Sequence, residues 1–141
     1  MVWFNPVQYM LPPAPIPNDT WRELLHRSSS IPGLSYELVP NKEKFSKGAT
    51  IKTNSHGMRD DEPLDRDLDS ACTVLVIGDS YTFGFGVEGH ETYANILEEL
   101  LKNNAPNKAV QVLNMGVGGY SSRDEALVLK HKGMEWNGME P

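Results

Sequence analysis

Ser80 is the residue whose neighbours best equip it for chemistry. It follows Thr73-Val74-Leu75-Val76-Ile77, a continuous and mostly β-branched apolar run. Such a run has the look of a strand buried on both faces, as in a parallel sheet. Gly78-Asp79-Ser80 turns the chain at that strand's carboxyl end, the edge where ligands bind in open α/β sheets. A serine held there, among backbone N–H groups, has the setting of a nucleophile beside an oxyanion site. The same position also suits a serine that only caps a turn. A second glycine-rich turn, Asn114-Met115-Gly116-Val117-Gly118-Gly119, follows the apolar run Val110-Gln111-Val112-Leu113. The two turns are expected on one edge of one sheet.

The elements that must hold these turns follow from periodicity. A helix is expected over 92–102, with Tyr93, Ile96, Leu97, Leu100 and Leu101 on one apolar face. Asn103-Asn104-Ala105-Pro106 ends it. A last helix is expected from Ser122, with Glu125 completing a capping box, to about Gly133. Strand, helix, strand, helix is the order of a parallel α/β sheet with right-handed crossovers. Residues 1–70 differ. They are expected to be an irregular lead segment carrying a small hairpin, with residues 71–141 forming the α/β domain. In the lead segment, Asp19 could cap a helix over 20–25. The strand over 34–39 is expected to pair with 49–53. Asn54-Ser55-His56-Gly57 is a turn cluster, and 60–67 an acidic, solvated linker.

Bulk properties narrow the function. The 141 residues suffice for one hydrophobic core, and 39% hydrophobic with 23% charged is ordinary for a globular protein. A net charge of −6 without a basic stripe argues against nucleic acid as partner. No stretch reaches the roughly 20 apolar residues of a membrane span. Residues 1–17 lack a basic n-region and an apolar h-region, so they are expected to be an extended proline-rich lead-in and not a signal peptide. The single cysteine, Cys72, permits no internal disulfide and is expected to be a small buried hydrophobe.

Val76-Ile77-Gly78-Asp79-Ser80-Tyr81-Thr82-Phe83-Gly84 resembles the first sequence block of the SGNH (GDSL-type) serine hydrolases, with Tyr81 where the literal motif has Leu. Leu113-Asn114-Met115-Gly116-Val117-Gly118-Gly119-Tyr120 resembles their second block. Thr53-Asn54-Ser55-His56-Gly57-Met58-Arg59 is similar to the lead segment of bacterial members. The resemblance spans residues 31–136. It implies the amino-terminal half of a flavodoxin-like three-layer α/β/α sandwich. It also implies esterase or lipase activity, the hydrolysis of carbohydrate O-acetyl, lipid or small acyl esters, with neither metal nor cofactor. Ser80 would attack the ester carbonyl, and the backbone N–H groups of Ser80 and Gly119 would form the oxyanion hole. Asp79 would orient the loop, Asn114 would fix the second turn, and Gly78 would allow close approach.

The family's later blocks, Gly-x-Asn-Asp and Asp-x-x-His, do not occur in this sequence. The chain is therefore expected to be inactive or nearly so alone, since a serine without its base stays protonated. His26, His56, His90 and His131 do not match the family's catalytic position. His56 belongs to the lead segment, expected to pack near the site, and His90 and His131 are expected to be exposed. Some relatives transfer acyl groups to sugars, and nothing in this chain separates transfer from hydrolysis. A non-catalytic interaction or structural role is the other class open to it. Gly84-Phe85-Gly86-Val87-Glu88-Gly89 matches a dinucleotide fingerprint, but it begins six residues past the strand, and the next strand closes on neutral Asn114. Thr82 replaces the glycine that a lipase-type nucleophile elbow needs.

Overall fold

The structure, a computed structural model, describes residues 25–64 and 72–136. Its elements in chain order are β1 (His26–Ser28), β2 (Tyr36–Leu38), β3 (Glu43–Ser46), β4 (Ala49–Lys52), β5 (Cys72–Val76), α1 (Ser80–Phe83), α2 (Tyr93–Asn104), β6 (Val110–Asn114), α3 (Ser122–Val128) and α4 (Met134–Trp136). A 3₁₀ turn, Gly89–Glu91, precedes α2, and a π-helical turn, Leu129–Gly133, joins α3 to α4. The protein is thus mixed α/β with three two-stranded sheets among the described residues. β5 and β6 are parallel, with Cys72 opposite Val110 and Val76 opposite Asn114. No helix among them is long and apolar enough to cross a membrane.

The lead segment pairs differently from expectation. β2 pairs with β1, and β4 pairs with β3. The reason is local: Lys47 (φ 52°) and Gly48 (φ 88°) join Ser46 to Ala49 as a two-residue turn with both central residues at positive φ. Such turns match strand twist and close tight hairpins. β2 instead places Glu37 opposite Arg27, bridged at 2.6 Å. Lys132 approaches the other oxygen at 2.9 Å. Burial opposes ionisation of Glu37, but the two cations outweigh it and hold its pKa below the ordinary value. The expected helix capped by Asp19 lies outside the described residues, except for Leu25.

One apolar cluster joins the two regions. Leu25, Leu34, Leu38, Ile51 and Met58 pack with Phe83, Leu113, Met115, Val117 and Val128. Tyr36 and Tyr120 tie this contact with polar bonds: Tyr36 donates to the Gly118 carbonyl (2.9 Å) and Tyr120 to the Tyr36 carbonyl (2.7 Å). Burial raises the Tyr120 pKa, so the phenol stays a donor.

Four expectations need correction. β5 is only partly buried, whereas all of β6 is buried. Cys72 is exposed, because it opens a strand with one bare edge. α2 buries Ala94, while Tyr93, Ile96 and Leu100 of its apolar face are exposed. The cap of α3 is Ser121 with Asp124, one residue before the expected Ser122 and Glu125 pair. Two overlapping capping patterns exist in Ser121-Ser122-Arg123-Asp124-Glu125, and the chain's exit from the glycine turn selects the first.

Candidate functional site

Ser80 is the first residue of α1, directly past β5. Asp79 caps this helix, its Oδ1 accepting from the Tyr81 N–H at 3.0 Å. Gly84 ends it at φ 80°. Gly78 has no room for a side chain: a Cβ there would stand 2.0 Å from Thr82 Oγ1. The turn between strand and helix is therefore as tight as glycine allows.

The second turn is fastened onto this helix. Asn114 is fully buried; its Nδ2 donates to the Thr82 carbonyl (2.9 Å) and its Oδ1 accepts from the Gly116 N–H (3.0 Å). The Val117 N–H donates to the Gly78 carbonyl at 3.0 Å. Gly116 lies so close to α1 that a Cβ would meet Phe83 N at 2.4 Å. Gly119 follows, exposed, at φ 89°. Ser80, Asp79, Gly78, Asn114 and Gly119 thus belong to one pair of interlocked turns at the carboxyl ends of β5 and β6.

Arg59 is the residue sequence reasoning missed. Only 2% exposed, it reaches from the lead segment into the loop after α1. Nη1 donates to the carbonyls of Phe83 (2.7 Å) and Gly84, and Nη2 to those of Val87 (2.6 Å) and Thr50 (3.3 Å). The guanidinium also lies 5.0 Å from the Phe83 ring centre. A fixed fork of donors suits four converging carbonyls, which a lysine could not match. Burial lowers the Arg59 pKa, and nearby Glu88 opposes that shift. Position 59 carries no periodic or motif signal of burial, since arginine is normally exposed.

Asp60, expected in a solvated linker, is partly buried. Its Oδ2 accepts from the Asn114 N–H at 2.9 Å. Burial raises its pKa to about 6, against the lowering effect of the N–H groups of Asn114 and Asp61. Residues 65–67 of that linker lie outside the described residues.

An open groove of about 400 Å³ borders Ser80, lined also by Tyr81, Phe85, Val87, Glu91 and Tyr93. None of its lining residues is a histidine. His26 stands edge-on to Tyr36 at 5.0 Å, and His56 to Trp136 at 5.1 Å. His90 borders a separate hollow with Arg59 and Asp60. His131, partly buried and not exposed as expected, lines a cavity of about 250 Å³ beside Glu37. Among the described residues no group of three or more His, Cys, Asp or Glu could hold a metal ion. The arrangement presents the Ser80 hydroxyl at a helix start in an open groove, with Glu91 as the one ionisable carboxylate and no histidine in its lining. Comparison with models of known protein families finds no match, and comparison with curated proteins finds none.

Proposed function

We propose that this chain supplies the nucleophile and oxyanion turns of a serine ester hydrolase of the SGNH type, within a flavodoxin-like parallel α/β sandwich. The observation that carries this reading is the locking of the second turn onto α1 through Asn114 and Gly116. It holds a glycine-rich backbone against α1, the helix that Ser80 begins, and preorganised donors stabilise an oxyanion most. In the proposed reaction Ser80 Oγ bonds to the acyl carbon, its proton passes to a base, and the alcohol leaves. Gly119 would contribute a second N–H, Asp79 would hold the helix start, and the substrate is a small acyl or O-acetyl ester.

The test supplies the base from solution. p-Nitrophenyl acetate is added with and without imidazole, and acylated peptide is sought by mass spectrometry. The expected result is slow acylation at Ser80, accelerated by imidazole and absent in Ser80→Ala, with little turnover by the chain alone. Acylation that persists in Ser80→Ala, or none at Ser80 with imidazole, sinks the proposal. The second reading, a non-catalytic interaction module, is favoured by one observation: no histidine lines the Ser80 groove. Absence of any Ser80 acylation would select it.

A further inference from the structure

The peptide between Gly118 and Gly119 is held from the lead segment. Tyr36, the first residue of β2, donates its hydroxyl to the Gly118 carbonyl at 2.9 Å. The two residues stand 82 positions apart in the chain. In a trans peptide the C=O and the following N–H share one plane and point in opposite directions. The N–H of this peptide is that of Gly119. A hydroxyl fixed on the Gly118 carbonyl therefore fixes the direction of the Gly119 N–H. Such an anchor matters most here, because a peptide flanked by two glycines meets little steric resistance to rotation.

Tyr36 is itself well held. Its carbonyl accepts from the Tyr120 hydroxyl at 2.7 Å. Its ring lies edge-on to His26 at 5.0 Å, and the Tyr120 ring stands 5.5 Å away, tilted by 48°. The Tyr120 N–H donates to the Val117 carbonyl at 3.2 Å. Tyr36 and residues 117–120 thus close a ring of phenol and main-chain bonds that includes the Gly118–Gly119 peptide. Phe85 packs directly on Gly118: a Cβ there would stand 2.4 Å from Phe85 Cε2. Phe85 also lines the Ser80 groove. The peptide is therefore joined to the groove through Phe85 and to the lead segment through Tyr36.

We propose that Tyr36 is a positioning residue for ester cleavage, aiming the Gly119 N–H at the oxyanion through its bond to the Gly118 carbonyl. This rests on the reading of Gly119 as the second oxyanion donor. An oxyanion gains most from donors that are aimed before charge develops. The bond also polarises the peptide, since hydrogen bonds in a chain strengthen one another, and its N–H becomes a better donor to negative charge. Tyr36 does not line the Ser80 groove, so its effect falls on the rate of the chemical step and not on binding of the ester. The lead segment then serves the site by two routes: Arg59 holds the loop after α1, and Tyr36 holds the second turn.

The test follows acylation of Ser80 by p-nitrophenyl acetate with imidazole across ester concentrations, together with the nuclear magnetic resonance of the Gly119 amide nitrogen. Tyr36→Phe keeps the ring and removes the donor. It should lower the maximal acylation rate about tenfold, a part of the roughly 100-fold lost when an oxyanion donor is removed outright. The half-saturating ester concentration should not change. The Gly119 nitrogen resonance should move upfield, because the carbonyl before it has lost a hydrogen bond. Para-aminophenylalanine at position 36 keeps a weaker donor on the same ring carbon and should recover part of both effects. Ile51→Val trims a core residue only 2% exposed, at comparable cost in stability, and should acylate like the parent. A Tyr36→Phe protein that acylates like the parent, or loses rate with no movement of the Gly119 resonance, overturns the proposal and leaves Ser80 as nucleophile. A parent that is not acylated at Ser80 sinks the ester-hydrolase reading, and the role of Tyr36 with it. Should Tyr36→Phe not fold, the aminophenylalanine variant decides: a smaller loss of rate with a smaller upfield movement bears the proposal out, and values identical to the parent's overturn it.

Discussion

The two flanks of the β5–β6 sheet are built on opposite plans. On the β6 flank, Asp60 and Glu98 occupy the strand's outer N–H groups, and every residue of β6 is buried. Arg59, next to Asp60, carries the same lead segment over to the loop after Ser80. On the β5 flank the strand is only partly buried, no main-chain bond reaches its outer N–H groups among the described residues, and Tyr93, Ile96 and Leu100 of α2 are exposed. Hydrophobic content alone does not decide which strand is enclosed, because β5 is the more uniformly apolar of the two. Polar side chains on neighbouring elements decide it, by satisfying the main chain at one edge and not at the other.

The largest expected effect that would break this contrast comes from Arg59. Arg59→Met leaves the carbonyls of Phe83, Gly84 and Val87 without their donor. Each buried carbonyl so orphaned costs about 1–3 kcal/mol, so a loss of about 3 kcal/mol is expected in urea unfolding. If the variant loses less than 1 kcal/mol, the lead segment does not fasten the Ser80 loop. Arg59→Lys should recover only part of the loss, because an ammonium lacks the guanidinium's fork.

Asp60 is next. Its folded pKa of about 6 lies above the ordinary value of 3.8, so the folded state holds the proton more tightly than the unfolded chain. Stability from this group is therefore largest below pH 4, falls as pH rises through the window from 4 to 6, and is flat above it. The span corresponds to about 1–3 kcal/mol. Asp60→Asn keeps an acceptor for the Asn114 N–H and should flatten that slope, raising stability at pH 7. Thermal melts at several pH values compare the two proteins, and an unchanged slope would locate the titration elsewhere.

Glu98→Ala sharpens the comparison at smaller scale. It frees the Val112 N–H and should cost about 1 kcal/mol in unfolding, and it should also let β6 accept strands. Leu100→Lys on the opposite flank should change the stability of the single chain by less than about 0.5 kcal/mol, as exposed substitutions do. Equal losses at the two positions would mean that the flanks are not unlike.

Much of the scaffold was legible from residue order. The runs 73–77 and 110–113 and the helix over 92–102 appear where periodicity puts them, and β5 and β6 are parallel as the strand–helix order requires. The turn at Asn54 also forms, with Oδ1 accepting from the N–H groups of His56 and Met58 at 3.0 Å each. What went astray depended on partners. Lys47-Gly48 closed a hairpin that alternation alone assigned elsewhere. Cys72 and the stripe of α2 are exposed because an apolar residue is buried only where another element covers it. Asp60 looked like a solvated charge, since nothing near it in sequence announces a strand terminus 54 residues away.

The sequence by itself determined local features of the second region: where the runs before the two glycine turns extend, where the helix over 92–102 coils, and where glycine permits the tight turns beside Ser80. These follow from side-chain period and backbone sterics within a few residues. The tertiary structure alone decided which edge of the sheet is closed, that Arg59 is buried among carbonyls, and that the described histidines stand away from the Ser80 groove. Each of those depends on groups far apart in the chain meeting in space, where desolvation and hydrogen-bond satisfaction, not propensity, set the outcome.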